Sequence, residues 1–286
     1  MATITGALNN QFLEKLTGSS GDDDFYPRGG WDMIDGGAGY DVVHVQGHAA
    51  DYKITNINGV IYIDSVSAAS SSIQETQLIN VEKIQFDDQS VDLTASMTFV
   101  NHPGGEHFTG GAGIDQVSYE LNRASYDVSK SGNLFVVTDN VGDGGVDLLS
   151  SVERLNFKDV KVALDLDGHA GDVVKIIGAV FGASALKQHP EYIGIGLGYR
   201  DAGMSPTPLM SLALKAANLN SPETLVSQLW LNVMHQVGAQ SDLQPFVQML
   251  SKGMAPEDLA MLAANSAQNA SSINLVGLSN TGVVFV

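Results

Sequence analysis

The chain has 286 residues, 44% of them hydrophobic, and no cysteine, which excludes a disordered acidic tail, disulfides, thiolate zinc sites and a cysteine nucleophile. Its net charge of -18 is concentrated: residues 1–170 hold 25 Asp and Glu against 9 Lys and Arg, whereas residues 171–286 hold 7 against 5. Nucleic acid does not suit so negative a field, and no apolar run approaches the roughly 18 to 20 residues of a membrane span.

The first residues, Met1-Ala2-Thr3-Ile4-Thr5-Gly6, carry neither a basic n-region nor an apolar h-region, so no cleaved secretory signal is expected. From Gly18 three nonamers follow without a gap: Gly18 to Tyr26, Pro27 to Asp35 and Gly36 to His44. Each has Gly at its fourth position, an acid at its sixth (Asp23, Asp32, Asp41) and an apolar residue at its eighth (Phe25, Ile34, Val43). The third fits the calcium-binding pattern G-G-x-G-x-D-x-U-x throughout. Calcium takes six to eight oxygens at about 2.3–2.6 Å. Glycine turns expose carbonyls, the sixth residue adds a carboxylate, and the eighth starts a strand pointing into a core.

Turns 18 residues apart would stack and share an ion. This predicts one well-formed site at Asp23 and Asp41, with carbonyls from Ser19 to Gly21 and from Gly36 through Ala38 to Gly39. Asp32 is a further candidate ligand, but neither residues 45–50 nor 9–14 offer it a partner turn of the same pattern.

Short alternating runs follow, such as Val60-Ile61-Tyr62-Ile63-Asp64 and Leu134-Phe135-Val136-Val137-Thr138, and they suit strands of period two. The region also repeats itself. Gly36 to Asp41 recurs as Gly110 to Asp115 and Tyr52 as Tyr126, both offset by 74; Asn80 to Asp88 recurs as Ser151 to Asp159, offset by 71. In the second copy Glu106 and Asp115 take the sixth position, which makes them candidate ligands of a second site.

Beyond Gly168 the pattern turns helical. Pro206, Pro222 and Pro256 stand where a first helical residue stands, each after Ser or Ala. Leu225, Leu229, Val233 and Gln236 form one helical face, and Leu243, Phe246, Val247 and Leu250 another; about five helices are expected between 170 and 270. The fold class expected is α+β: a duplicated β-rich, β-roll-like domain over 1–168, with copies at about 18–93 and 92–165, then a helical domain over 169–286.

Residues 17–44 resemble RTX (repeats-in-toxin, hemolysin-type) repeats, and Tyr52 to Leu93 is similar to the strand-rich segment that often follows them. Glu191 to Leu197, Asp201 to Ser205, Leu231 to Met234 and Asn269 to Leu278 resemble an uncharacterised helical domain found at the C-terminal end of many type I-secreted bacterial proteins. The chain departs in having about five nonamers where large RTX proteins have many. The resemblance implies Ca2+ as cofactor, secretion to the cell surface or medium through an ABC-type exporter, and an uncleaved C-terminal export signal. The tail Ser279 to Val286, apolar and free of Lys and Arg, suits such a signal, and the fold is not expected to need residues after Ser271.

Catalytic patterns are missing: there is no H-E-x-x-H and no G-x-S-x-G, and Gly194-Ile195-Gly196-Leu197-Gly198 lacks the lysine of a phosphate loop and reads as a packing or turn element. Asp22-Asp23-Asp24 and Asp87-Asp88 read as turn acids, and His44, His48, His102 and His107 as turn or surface histidines. No enzyme is therefore expected. Two classes stay open: a self-associating structural or adhesive protein, S-layer-like or of a biofilm matrix, and a soluble calcium-dependent lectin-like binder that stacks surface glycans on Trp31 or Tyr40.

Overall fold

The protein is described by a computed structural model covering residues 2–7, 13–57, 60–66, 73–111 and 113–286. It is a mixed α and β fold in which all strands but the last precede the helices. Two compact units form: one runs to Ser118 and takes in Ser131–Val152, the other comprises Tyr119–Lys130 and Glu153–Val286.

In the first unit the opening strands are β1 (Ala2–Thr5), β2 (Leu13–Thr17), β3 (Asp23–Tyr26), β4 (Gly30–Asp35) and β5 (Val42–His44). They alternate between two sheets. β1, β3 and β5 pair in parallel, as do β2 and β4, with Phe25 opposite Val43 and Leu16 opposite Ile34. A repeat of nine residues makes this layout: each nonamer supplies one turn and one short strand, so every second strand returns to the same sheet. Next come β6 (Tyr52–Ile57), β7 (Val60–Ser65), β8 (Ile73–Ile79), β9 (Lys83–Gln85) and β10 (Ser90–Asp92). They complete the sheets in the orders β1-β3-β5-β9-β10 and β2-β4-β8-β7-β6.

Stacking places like residues in rows. Phe25, Val43 and Ile84 form one apolar row, and Leu16, Ile34 and Leu78 the other. Phe25, Ile34, Val43 and Ile84 are wholly buried. The eighth position of the nonamer is thus the core position, as its strand phase requires. The turns stack so closely that a Cβ on Gly36 would collide with the carbonyl oxygen of Asn80. At the matching place in the second copy, Gly110 meets the carbonyl of Ser151, and Asn80 and Ser151 share a left-handed backbone (φ 51° and 49°).

The second series runs β11 (Thr98–Val100), β12 (His107–Thr109), β13 (Gln116–Ser118), β14 (Tyr126–Ser131), β15 (Leu134–Asp139), β16 (Val146–Ser150), β17 (Arg154–Asn156) and β18 (Lys161–Ala163). Within the first unit β11 pairs with β13 in parallel, and β12 with β16, which in turn pairs with β15.

The second unit is mostly helical: α1 (His169–Phe181), α2 (Ala185–Gln188), α3 (Pro190–Asp201), α4 (Pro206–Ala216), α5 (Pro222–Met234), α6 (Gln240–Ser251), α7 (Pro256–Ala264), α8 (Ala267–Ser272) and α9 (Leu275–Thr281). α4, α5 and α7 start at the three prolines picked out from the sequence. Nine residues of α1 are buried, which makes it the central helix. Its last carbonyls, Ala179 and Val180, accept hydrogen bonds of 2.9 and 2.8 Å from the Asn232 side chain. Arg154, 5% exposed, ties strand β17 to α3 by donating to Asp165 (2.5 Å) and Asp201 (2.8 Å).

Three expectations need correction here. Eight helices, not five, begin between His169 and Ala267 among the described residues, because Gly182 (φ 88°) ends α1 early and Pro190 starts a new helix soon after. Gln236 lies beyond α5, which stops at Met234 where His235 turns left-handed (φ 55°). The tail is part of the fold: β19 (Val283–Phe285) pairs antiparallel with β18, and Ile273, Val283 and Phe285 are buried. Gly194 and Gly196 in α3 have a packing role, fitting against the Val286 carbonyl and the Val173 side chain. Removing Val283–Val286 should therefore destabilise the helical unit by about 3 kcal/mol or more, the scale of losing one buried Phe. Chemical denaturation of the truncated chain checks this, and an unchanged midpoint would mean that the strand carries no stability.

Candidate metal centre

The acidic residues of the turns form a ladder. The Ala2 N–H donates to Asp23 Oδ1 (2.8 Å), the Asp23 N–H to Asp41 Oδ1 (2.8 Å) and the Asp41 N–H to Glu82 Oε2 (2.7 Å). Each carboxylate thereby satisfies the backbone of the coil before it, which explains why an acid recurs at the same turn position. Asp23 is wholly buried, and its second oxygen accepts from the Ser19 N–H (2.6 Å) and hydroxyl (2.8 Å). These donors, the Ser19 N–H foremost, hold its carboxyl below the usual range.

Asp41 is also wholly buried, yet its Oδ2 has no hydrogen-bond partner among the described residues. Burial pushes its pKa up; the Asp23 N–H opposes this, while the carboxylates of Glu82, Asp23 and Asp22 add to it. Around it the turns at Ser19–Gly21 and Gly36–Gly39 face each other. The Ala38 N–H donates to the Ser19 carbonyl (3.3 Å), and the Tyr40 N–H to Asp22 Oδ1 (2.9 Å). The Gly21 carbonyl accepts a long bond from the Ser19 hydroxyl (3.3 Å).

Asp32 has a different setting. It is 1% exposed and neither of its oxygens has a hydrogen-bond partner among the described residues. Burial, followed by the nearby Glu14 carboxylate, pushes its pKa up to about 6. Thr76, opposite it on β8 and wholly buried, has a hydroxyl without a partner among the described residues.

In the second copy Asp115 is wholly buried, and its oxygens accept from the Met97 and Gly111 N–H groups. Glu106 accepts from the His102 N–H (2.8 Å), and its own N–H goes to Asp147 (2.9 Å). Ala112, within that turn, lies outside the described residues, as do residues 9–12 beside the turn weighed as a partner for Asp32. Protein donors thus engage the second-copy acids more fully than Asp32 or Asp41.

Glu14, Glu82 and Thr76 were not singled out from the sequence. Glu82 had a signal: it sits in the repeated Val-Glu landmark, matched by Glu153. Glu14 precedes Asp32 by the same 18 residues that separate Asp23 from Asp41. The histidines find local partners: His44 bonds Asp24 (2.8 Å) and stacks on Tyr26, and His102 lies 3.2 Å from Glu106. Asp87 and Asp88 accept N–H groups of Gly47 and Ala49, which is a turn role. Trp31 and Tyr40 are 49% and 45% exposed.

Among the described residues no group of three or more His, Asp or Glu side chains is gathered so as to hold a metal ion by itself, and no helix is long and apolar enough to cross a membrane. The donor set is oxygen only, which suits a hard cation. Buried carboxylate oxygens without a donor fit a calcium ion, since a buried anion needs a counter-charge. Ca2+ would be held at Asp41 together with turn carbonyls, and would supply positive charge rather than chemistry.

No protein-family model matches the chain, and no curated protein matches it. Among solved structures it shows a slight likeness to the extracellular lipase LipA from Serratia marcescens: 12% identity and a TM-score of 0.26, over 52% of this chain and 36% of the lipase. A likeness of that size carries no argument about fold or activity.

Proposed function

We propose that this chain is a secreted calcium-binding protein of RTX kind, whose first unit is a short β-roll fixed by calcium and whose role is structural or adhesive at a bacterial surface. The observation that carries the reading is the pair of facing turns at Asp23 and Asp41, where the wholly buried Asp41 keeps one oxygen without a partner among the described residues. Support also comes from the parallel pairing of Asp24 with Val42 and Phe25 with Val43, the 18-residue step of a two-nonamer coil. In this reading export runs through an ABC-type exporter from the C-terminal region, and the function is not enzymatic.

Self-association follows from charge. The 16 excess negative charges of residues 1–170 keep copies apart while calcium is scarce, and bound calcium removes part of that repulsion. Light scattering during a calcium titration tests this: particles much larger than the 30.2 kDa monomer should form at millimolar calcium. A chain that stays monomeric would favour the second reading, a calcium-dependent lectin. The exposure of Trp31 and Tyr40 speaks for that reading, and a glycan array run with and without calcium would decide it.

A further inference from the structure

We propose that the helical unit holds a lidded binding site for an uncharged amphiphile, a hydrocarbon chain with one neutral hydrogen-bond acceptor, seated beneath α6 against Trp230. The site is separate from the acids of the β unit and needs no cation.

Leu243, Phe246, Val247 and Leu250 recur at helical spacing and give α6 an apolar face, yet each is only half-buried, and no residue of this helix is buried. On α5, which packs against it, Leu225, Val226, Leu229 and Val233 are buried. The apolar face of α6 thus covers something other than closely packed side chains. Beneath it lies a cavity of about 260 Å³, bounded by α5, α6, α7 and the start of α8. Protein interiors are packed almost without voids, so an apolar space of this size has the character of a ligand site.

Its wall carries Trp230, Val233, Phe246, Met249 and Leu262, and no charged side chain among the described residues. An ion would lose its hydration here without gaining a counter-charge, so the fitting occupant is uncharged. At about 30 Å³ for each water-sized group, the space takes a chain of roughly eight carbons. Met234, Met249 and Leu262 line the cavity and are exposed, which makes an apolar rim. Methionine adapts to apolar ligands of varied shape.

One polar group is left over. Trp230 Nε1 is buried and without a hydrogen-bond partner among the described residues. A buried donor left unpaired costs more than an ordinary hydrogen bond returns, and an amide, ester or hydroxyl oxygen on the occupant would pair it. Reaching the indole requires α6 to rise, because the chain before α6 crowds it: a Cβ on Gly238 would come 2.5 Å from Leu243 and 3.0 Å from Trp230. The Phe246 ring of α6 stands 6.2 Å from the Trp230 ring. α6 suits such a movement. Pro245 removes a helical hydrogen bond inside it, and the chain on either side takes a positive φ, at His235 (55°) and Gly253 (101°).

Tryptophan fluorescence and calorimetry on the full chain test the site, with N-methyloctanamide as the probe. In a Trp31→Phe background Trp230 is the remaining tryptophan. Its emission should shift on saturable binding, with a dissociation constant on the order of 0.1 mM. Octanoate, the charged analogue, should bind at least about tenfold more weakly. Trp230→Phe, followed by calorimetry, should cost the amide about tenfold and leave binding of benzene, which has no such acceptor, unchanged. Leu262→Arg puts a charge on the rim at a position 63% exposed, so the chain should fold and lose the amide. Hydrogen exchange over Gln240–Ser251 should slow when the amide is bound.

If the amide neither shifts Trp230 emission nor gives heat up to its solubility limit, the site is wrong. Equal binding of octanoate, or full amide affinity in Trp230→Phe, overturns the assigned ligand chemistry. Should Trp230→Phe not fold, Leu262→Arg decides: full amide affinity in that variant sinks the proposal. If the amide fails and Leu262→Arg instead disperses a self-associated form, the rim is a contact between copies and the ligand site falls. The same binding is expected in chelator and in calcium, so a failure here leaves the turn ion standing.

Discussion

Calcium should raise the melting temperature of the β unit, and chelator should lower it. A ligand that binds only the folded state stabilises it by about 2.7 kcal/mol when present at about 100 times its dissociation constant. For a unit of this size that is a shift of several degrees. The source of the effect is local. Asp41 is wholly buried with one oxygen unpartnered among the described residues, and the carboxylates of Glu82, Asp23 and Asp22 all act on it. Calcium supplies the missing counter-charge. Calorimetry in chelator and in millimolar calcium gives the comparison, and Asp41→Ala should lose much of the calcium-induced shift. Superimposable melts for the parent chain would rule out a stabilising ion.

The second large effect is the pH dependence of the calcium-free protein. Asp32 has its pKa raised from 3.8 to about 6 by burial and by Glu14. Between those values the folded state binds a proton that the unfolded state has released. Stability from this group is therefore full below about pH 4 and falls as pH rises through about 6. The loss is about 3 kcal/mol. Asp41, also raised, adds a fall of the same sign. Asp23 works the other way, since its lowered pKa costs stability only as pH falls below 3.8, outside this window.

Urea denaturation in chelator across this range should therefore show falling stability with rising pH, and Asp32→Asn should flatten much of the slope. In saturating calcium the slope should reverse, because protons then compete with the ion for the carboxylates. A calcium-free protein whose stability rises steadily between pH 4 and 6 would show that Asp32 is not held in the buried, unpartnered state.

Much of this architecture is legible from residues alone, and the reason is that its determinants are local. A nonamer carries its turn glycine, its acid and its core residue within nine positions, so Phe25, Ile34 and Val43 can be placed in the core before any strand pairing is known. Pro206, Pro222 and Pro256 mark helix starts because proline at a first helical position leaves no hydrogen bond broken. The mixed α and β character follows from the same change of period near Gly168.

What the tertiary structure decided is which acids lack partners. Asp23 stands in the turn pattern as Asp41 does, yet Ser19 and Ala2 occupy its oxygens, whereas among the described residues one oxygen of Asp41 and both of Asp32 lack a partner. Ser19 belongs to the turn of Asp23 itself and Ala2 to another coil, and no spacing rule shows whether such donors arrive. Glu14, Thr76 and Glu82 take their places beside the turn acids only through strand register. The C-terminal tail looks like a free apolar end in the sequence, and pairing with β18 makes it a strand. Local periodicity sets which face of a strand is buried; long-range pairing sets which buried charge is left for an ion.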